Sequence, residues 1–406
     1  STPVDIDSGT DTYTKEGYFG RVNYDLDGRY NFSLSYRRDG TSRMSPDNRW
    51  GNFWSFGAGW NLTKEAFAEK EWLNELKLRA SIGQTGNDQI SWASDSDVDS
   101  YYAYQTLFGM GYNNGDYPGV RFKELGNRNL KWETQTSADI AIEFGLFNRL
   151  RGTVEFFNKE SKDLIFDYPL PQSSGAAYVN RNIGKVRNYG MEFDLQGTLV
   201  ETKDFKWNLS LNGTLFKNKI VRLPDENRKD GIELAYKKYE EGRGIYDYYL
   251  YEWIGVDPKD GVAMYRLDAE QYPDYADPKS SDFVGVGKEG EAATWTKDAR
   301  YARKHFCGTS IPTIYGGFGT RAEWKGFDAE IFFSYQLGGK TYDTGYSGLM
   351  GRNLNGGRAM HKDMYKAWRK PGDQTDVPRL DAGNDGKYDA RRSDRFLVSS
   401  SALMLK

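Results

Sequence analysis

Four groups of residues have types that could do chemistry. Asp257 and Asp260 stand three apart in Asp257-Pro258-Lys259-Asp260-Gly261, a spacing that could pair two carboxylates for acid–base hydrolysis. Asp95, Asp97 and Asp99 alternate in Ser94-Asp95-Ser96-Asp97-Val98-Asp99, and a carboxylate series of this kind suits calcium. His305 and Cys307 lie close enough in sequence to share a zinc ion. Aromatic rings gather twice, at Tyr101, Tyr102 and Tyr104 and again at Tyr246, Tyr248, Tyr249, Tyr251 and Trp253. Such rings stack on the apolar C–H faces of sugars while the sugar hydroxyls take hydrogen bonds.

Most of these groups have a plainer explanation. Asp-Pro-Lys-Asp-Gly is turn composition, and nothing around it raises a carboxyl pKa as an acid catalyst requires. The aspartate series lacks the fixed glycine and distal glutamate of an EF-hand loop, so a solvated loop is expected. The chain holds one cysteine and two histidines, His305 and His361, too few for a zinc set or a disulfide framework. A loop is expected at His305 and Cys307. No enzyme chemistry, metal or cofactor is expected. With 55 Lys and Arg against 58 Asp and Glu, no basic footprint points to nucleic acid. The aromatic clusters stay open between ligand capture and the outer ends of long strands.

The elements that carry these groups alternate with period 2. Tyr30, Phe32, Leu34 and Tyr36 fall on one face, against Asn31, Ser33, Ser35 and Arg37 on the other. The same holds for Trp54 to Leu62, Leu76 to Ile82, Met191 to Leu199, Trp207 to Leu215 and Phe327 to Leu337. With segments near 18–26, 133–144, 150–158 and 313–324, ten strands are predicted, and an eleventh begins near Phe396. Many run nine residues or more, the length of a tilted strand that crosses a bilayer. The mean hydropathy is negative and no apolar run suits a membrane helix. A barrel strand hides its apolar half in such an average.

Connections sort by length. Short turns stand at Asp27-Gly28, Asn148-Arg149, Val200 to Asp204 and Lys325-Gly326; a somewhat longer one, Thr63 to Asn74, is amphipathic. Long loops lie near 38–50, 84–131, 168–186, 218–312 and 338–395. A short helical pattern (Met360, Met364, Tyr365, Trp368) falls in the last of them. Outer-membrane barrels have short turns on the periplasmic side and long loops outside. Trp60, Phe147, Phe205, Trp207, Trp324 and Phe327 near the short turns suit an interfacial girdle. The fold class is all-β, a transmembrane antiparallel barrel. Eleven strands leave open edges in lipid, so these residues are expected to be part of a larger barrel. Arg21, Arg79, Glu192, Asp194, Arg321, Asp328 and Glu330 then face the lumen, where they meet a plug or a passing substrate.

Ordered motifs carry a resemblance. They are Tyr36 to Arg43 with Asp47 to Gly51, Leu76 to Ser81 with Gly83 to Asn87, and Asn129 to Glu133. They continue with Asn182 to Gly184 and Asn188 to Glu192, then Gly255 to Pro258 and Trp368 to Asp373. In order and spacing this set resembles the C-terminal barrel half of SusC/RagA-type TonB-dependent transporters over essentially the whole chain.

That resemblance implies a plugged barrel of about 22 strands. It implies a TonB box and plug in an N-terminal part absent here, coupling to TonB-ExbB-ExbD, and a SusD-like lipoprotein as lid. A dimer of transporter–lid pairs in the Gram-negative outer membrane is the further expectation. The implied activity is import of a large polar nutrient, an oligosaccharide or a peptide. On that basis Tyr101, Tyr102, Tyr104, Tyr248, Tyr249 and Trp253 are the candidate ligand contacts. A siderophore or cobalamin receptor, a passive porin and a soluble carbohydrate-binding β-protein are the alternatives.

Overall fold

The computed structural model describes residues 10–92, 95–279, 285–286, 291–350, 359–380 and 392–406. The alternating segments form one eleven-stranded sheet. Its strands are β1 (Lys15–Leu26), β2 (Tyr30–Thr41), β3 (Trp50–Asn61), β4 (Leu73–Asn87), β5 (Glu133–Leu146) and β6 (Leu150–Lys162). They continue as β7 (Lys185–Glu201), β8 (Phe205–Arg222), β9 (Ile314–Trp324), β10 (Phe327–Leu337) and β11 (Ala402–Leu405). Each strand lies beside its predecessor and successor, with β1 and β11 at the two ends of the order. From β1 to β8 every pairing is antiparallel.

Register makes the two faces continuous. Tyr24, Phe32, Ala58, Ala80, Ile140, Phe156, Met191 and Leu215 are successive cross-strand partners, an apolar row over eight strands. One residue over, Asp25, Asn31, Gly59, Arg79, Ala141, Glu155, Glu192 and Thr214 form a polar row on the opposite face. Val22, Leu34, Ile140, Ile142, Phe156 and Ile331 are all exposed. An apolar surface this extended is unfavourable in water and at home in lipid. No helix among the described residues is long and apolar enough to cross a membrane, which says nothing of strands.

Short turns join one set of strand ends. Asp27 and Gly28 have φ of 56° and 59°, and Phe147 and Asn148 have 58° and 55°. Two consecutive left-handed residues give a hairpin turn whose twist matches the strands. The second of these turns sits one residue earlier than Asn148-Arg149. Phe147 accepts the uncommon φ because its N–H bonds Trp72 O at 2.7 Å and its ring lies 6.1 Å from that of Trp72. The amphipathic connector folds as two 3-10 turns, Leu62–Lys64 and Ala66–Ala68.

The eleventh strand begins at Ala402, not near Phe396. Asp394–Phe396 is a 3-10 turn, and Leu397–Ser399 pairs with Lys340–Tyr342 in a separate two-stranded sheet. Phe396 is 2% exposed in a core with Tyr342, so its apolar character serves that core and no membrane face. The helical pattern before Trp368 is a single 3-10 turn, Lys362–Lys366; residues 351–358 lie outside the described set.

The chain divides into two compact units. The first holds residues 1–230, 316–334 and 405–406, and its buried cluster is Met44, Phe53, Ile90, Ala103, Leu130 and Trp132. The second, residues 231–315 and 335–404, has a core of Tyr248, Leu250, Tyr342, Met350, Ala367, Val377 and Phe396. It also contains a small sheet built on Trp253–Val256, Ala263–Arg266 and Trp295–Thr296. These long loops carry structure of their own.

Candidate functional site

Alternation puts charge on the polar face, and pairing brings the charges together. Arg79 on β4 reaches Glu143 Oε1 at 2.8 Å and Glu155 Oε2 at 2.5 Å, with Asp139 at 3.9 Å. Lys77 adds a second bond to Glu143 at 3.3 Å. The remaining charges of this face are more loosely held. Arg21 Nε donates to Asn23 at 3.1 Å, and Asp194 accepts from Gln196 at 3.2 Å. Arg321 pairs with Glu323 at 3.0 Å and stands 3.8 Å from Glu330. Glu192 and Asp328 are exposed. All seven charged positions read from alternation therefore occupy β1, β4, β7, β9 and β10 of the sheet.

The aromatic clusters divide. In the first unit Arg43, buried, lies between Tyr13 and Tyr101, 4.6 and 4.8 Å from the ring centres, and pairs with Asp99 at 2.9 Å. Tyr102 accepts from the Thr12 N–H at 3.5 Å, and Tyr104 accepts from Gln105 at 2.8 Å. In the second unit Tyr248 is 8% exposed, and its hydroxyl accepts from the Tyr342 N–H at 3.3 Å. In this arrangement its ring serves as a core residue. Tyr249 packs 5.0 Å from Phe306 under the Lys238 ammonium. Trp253 sits edge-on to Tyr265 at 5.8 Å, with the Arg395 guanidinium 5.2 Å from its ring.

The other chemical candidates resolve into structure. Lys297 Nζ stands 2.7 Å from both Asp257 and Asp260, and Asp257 also accepts from the Lys259 N–H at 2.9 Å. Burial works to raise the Asp257 pKa, but Lys297 and that backbone bond outweigh it and hold the carboxyl below its ordinary value. A general acid needs the opposite shift. His305 and Cys307 lie on a strand, Lys304–Thr309, paired with Asp247–Tyr251, where a loop is expected from the sequence. His305 Nε2 meets Asp394 at 3.0 Å. Burial pushes the Cys307 thiol up to about 11, which leaves it unreactive. The side chains of Asp95 and Asp97 lie outside the described set. Among the described residues no group of three or more His, Cys, Asp or Glu could hold a metal.

The motifs meet one another, which spacing alone does not reveal. Trp132 donates to Arg49 O at 2.8 Å, joining Asn129 to Glu133 with the loop before β3. Asn182 clasps Lys131 twice, accepting its N–H at 2.8 Å and donating to its carbonyl at 2.7 Å. Trp368 Nε1 and the Gly372 N–H both donate to Pro258 O, at 3.0 and 2.8 Å. Gly261, with φ +74°, lies against the Trp368 ring, where a Cβ would stand 2.4 Å from a ring carbon.

Known proteins share this architecture. The family model described as "TonB dependent receptor-like, beta-barrel" matches residues 1–240. TonB-dependent receptor P3 of Formosa agariphila is 31% identical over 96% of the chain, and the chain spans 37% of its length. TonB-dependent receptor SusC of Bacteroides thetaiotaomicron is 36% identical over 56% of the chain, which covers 23% of that protein. A structure of the RagAB peptide transporter matches 97% of the chain and 40% of its own at 26% identity, with a TM-score of 0.78. An eleven-stranded sheet with one lipid-suited face defines an outer-membrane β-barrel protein. The chain belongs to the TonB-dependent receptor β-barrel family and, within it, to the SusC/RagA type.

Proposed function

We propose that the protein containing this chain imports a large polar nutrient, a glycan or a peptide, across the outer membrane by TonB-dependent transport. The observation that carries the proposal is the sheet's pair of faces. An apolar row crosses eight strands, and the opposite face holds the Arg79–Glu143–Glu155 ion pairs. An apolar exterior around a polar interior is the build of a barrel that admits polar cargo. Relatives of which this chain covers about two-fifths or less supply the rest of the proposal: a barrel of about 22 strands and a plug that fills it. In that arrangement Arg21, Arg79, Glu192, Asp194, Arg321, Asp328 and Glu330 line the lumen and chiefly meet the plug. The loops at 38–50, 84–131, 168–186, 218–312 and 338–395 face outward. A SusD-like lipoprotein closes over them, TonB-ExbB-ExbD supplies energy through the N-terminal part, and transporter–lid pairs dimerise. The name of the RagAB peptide transporter favours peptide cargo for that relative, and the aromatic loops here suit a glycan as well.

Uptake tests the proposal. Cells carrying the full-length protein should accumulate the nutrient only while TonB is present and the membrane is energised. Accumulation that persists without TonB would make the protein a passive porin. Among the aromatic candidates, Tyr102, Tyr104, Tyr249 and Trp253 are expected to contact ligand, whereas Tyr101 and Tyr248 support packing. Truncating a true anchor to Ala should cost about 2 kcal/mol or more in calorimetry with the lid partner bound. If none of the six changes affinity, ligand contacts lie elsewhere.

A further inference from the structure

We propose that a cavity on the polar face, at the long-loop end of β1 to β4, receives a carboxylate group of the imported ligand. The proposal rests on the import reading and adds a site on strand residues outside both aromatic clusters. The cavity measures about 460 Å³. Glycines open it. A Cβ at Gly17 would stand 2.5 Å from Asp39 Oδ1, and one at Gly86 would stand 2.1 Å from the Phe53 ring. Without those side chains the Arg37–Asp39 pair can lie across β1, and Phe53 can stand edge-on to Trp132, their ring centres 5.4 Å apart, as an apolar floor.

Its polar groups are unevenly presented. Arg37 pairs through Nε with Asp39 at 2.6 Å, and the arginine side chain is 62% exposed against 16% for the aspartate. Lys15 repeats the arrangement with Asp88 at 2.8 Å, 53% against 8%. In both pairs the cation faces outward and the acid lies beneath it. Arg37 spends Nε on Asp39, and its terminal nitrogens have no other acceptor among the described residues. The Ser35 and Ser55 hydroxyls meet at 2.6 Å along the same wall. The lining also holds the acids Glu16 and Asp39, so the preference rests on the outward cations, and a planar guanidinium matches a carboxylate with two parallel bonds. Because each cation is already partly balanced, the attraction is short in range and screened by salt, which suits a ligand that must leave again.

A carboxylate can come from a uronate sugar or an acidic peptide, and the test separates the two. Calorimetry on the purified full-length transporter would compare tetragalacturonate with uncharged maltotetraose. A second pair would compare end-capped Glu-Glu-Glu with end-capped Gln-Gln-Gln. The expected result is that the charged member of one pair binds at least about tenfold tighter than its counterpart. The Lys15→Gln/Arg37→Gln double variant should abolish that preference, while Arg37→Lys should keep most of it. Heat-modifiability in gels checks that each variant is folded. Preference for the uronate assigns a glycan source, and preference for the glutamates a peptide source. Indifference to charge in both pairs, or a preference that survives the double variant, overturns the proposal. Uptake in the same strains keeps the two ideas apart. TonB-dependent uptake with charge-blind binding sinks the cavity alone, and charge-selective binding with TonB-independent uptake sinks import alone.

Discussion

Glu65 accepts bonds from three side chains, Arg29 Nε at 2.6 Å, Trp60 Nε1 at 2.8 Å and Tyr30 Oη at 3.1 Å. One carboxylate thus ties the first short turn to β2, β3 and the connector before β4. Arg29 above all, then the Trp60 N–H, hold its pKa below the ordinary carboxyl value. A carboxyl depressed by folding contributes stability that is present above its unfolded pKa and is lost as pH falls through the folded one. Glu65→Gln should therefore lower the denaturant midpoint at pH 7, and the gap to wild type should close as pH drops below about 4. A gap independent of pH would mean that shape, not charge, holds the turn. None of this network is visible in the sequence, where Glu65 is one acid in an amphipathic stretch. Its three partners come from residues 29, 30 and 60, which only the register of β2 and β3 brings together. The same holds for Lys297 between Asp257 and Asp260.

Strand parity, by contrast, is legible. Leu195 and Gln196 are neighbours on β7, with Leu195 opposite Leu211 and Gln196 opposite Ser210. Leu195→Arg should cost about 2–4 kcal/mol if it lies near the bilayer midplane, while Gln196→Arg should be nearly neutral. Denaturant titration of the intact protein in bilayers decides, and equal losses would remove the facing assignment. Alternation survives in the sequence because each position of such a strand meets a single solvent. It located the ten longer strands, although β7 begins six residues before Met191 and β8 runs seven beyond Leu215, and it failed at Phe396, where an apolar residue serves a loop core. Pairing inside the long loops was equally hidden, since Asp247 finds Thr309 across a stretch with no periodic signal. Gly261 tests that hidden level. Its φ of +74° and contact with Trp368 make Gly261→Ala cost about 1–3 kcal/mol. Hydrogen exchange should speed up both around 257–266 and around 368–379, and acceleration confined to the first stretch would show that the clasp with Trp368 does not couple them.

At the scale of the whole molecule the sheet has two ends, β1 and β11, and lipid offers neither a hydrogen-bonding partner. Residues 1–406 expressed alone and refolded into detergent micelles should not yield a closed barrel. A monodisperse, heat-resistant species with full strand content would contradict that expectation. The second unit has a different consequence, one of order in time. Tyr248 and Leu250 share their core with Tyr342 and Phe396, and the Tyr248–Tyr342 bond spans 94 residues. Everything in between, including the β9–β10 hairpin, must be delivered before that core can close. While the chain waits, Tyr248, Leu250 and their neighbours stand unpacked, and unpacked aromatic strands of this kind aggregate. The contacts that give these loops their shape therefore close only after residue 396 has arrived, later than any pairing among β1 to β8 requires.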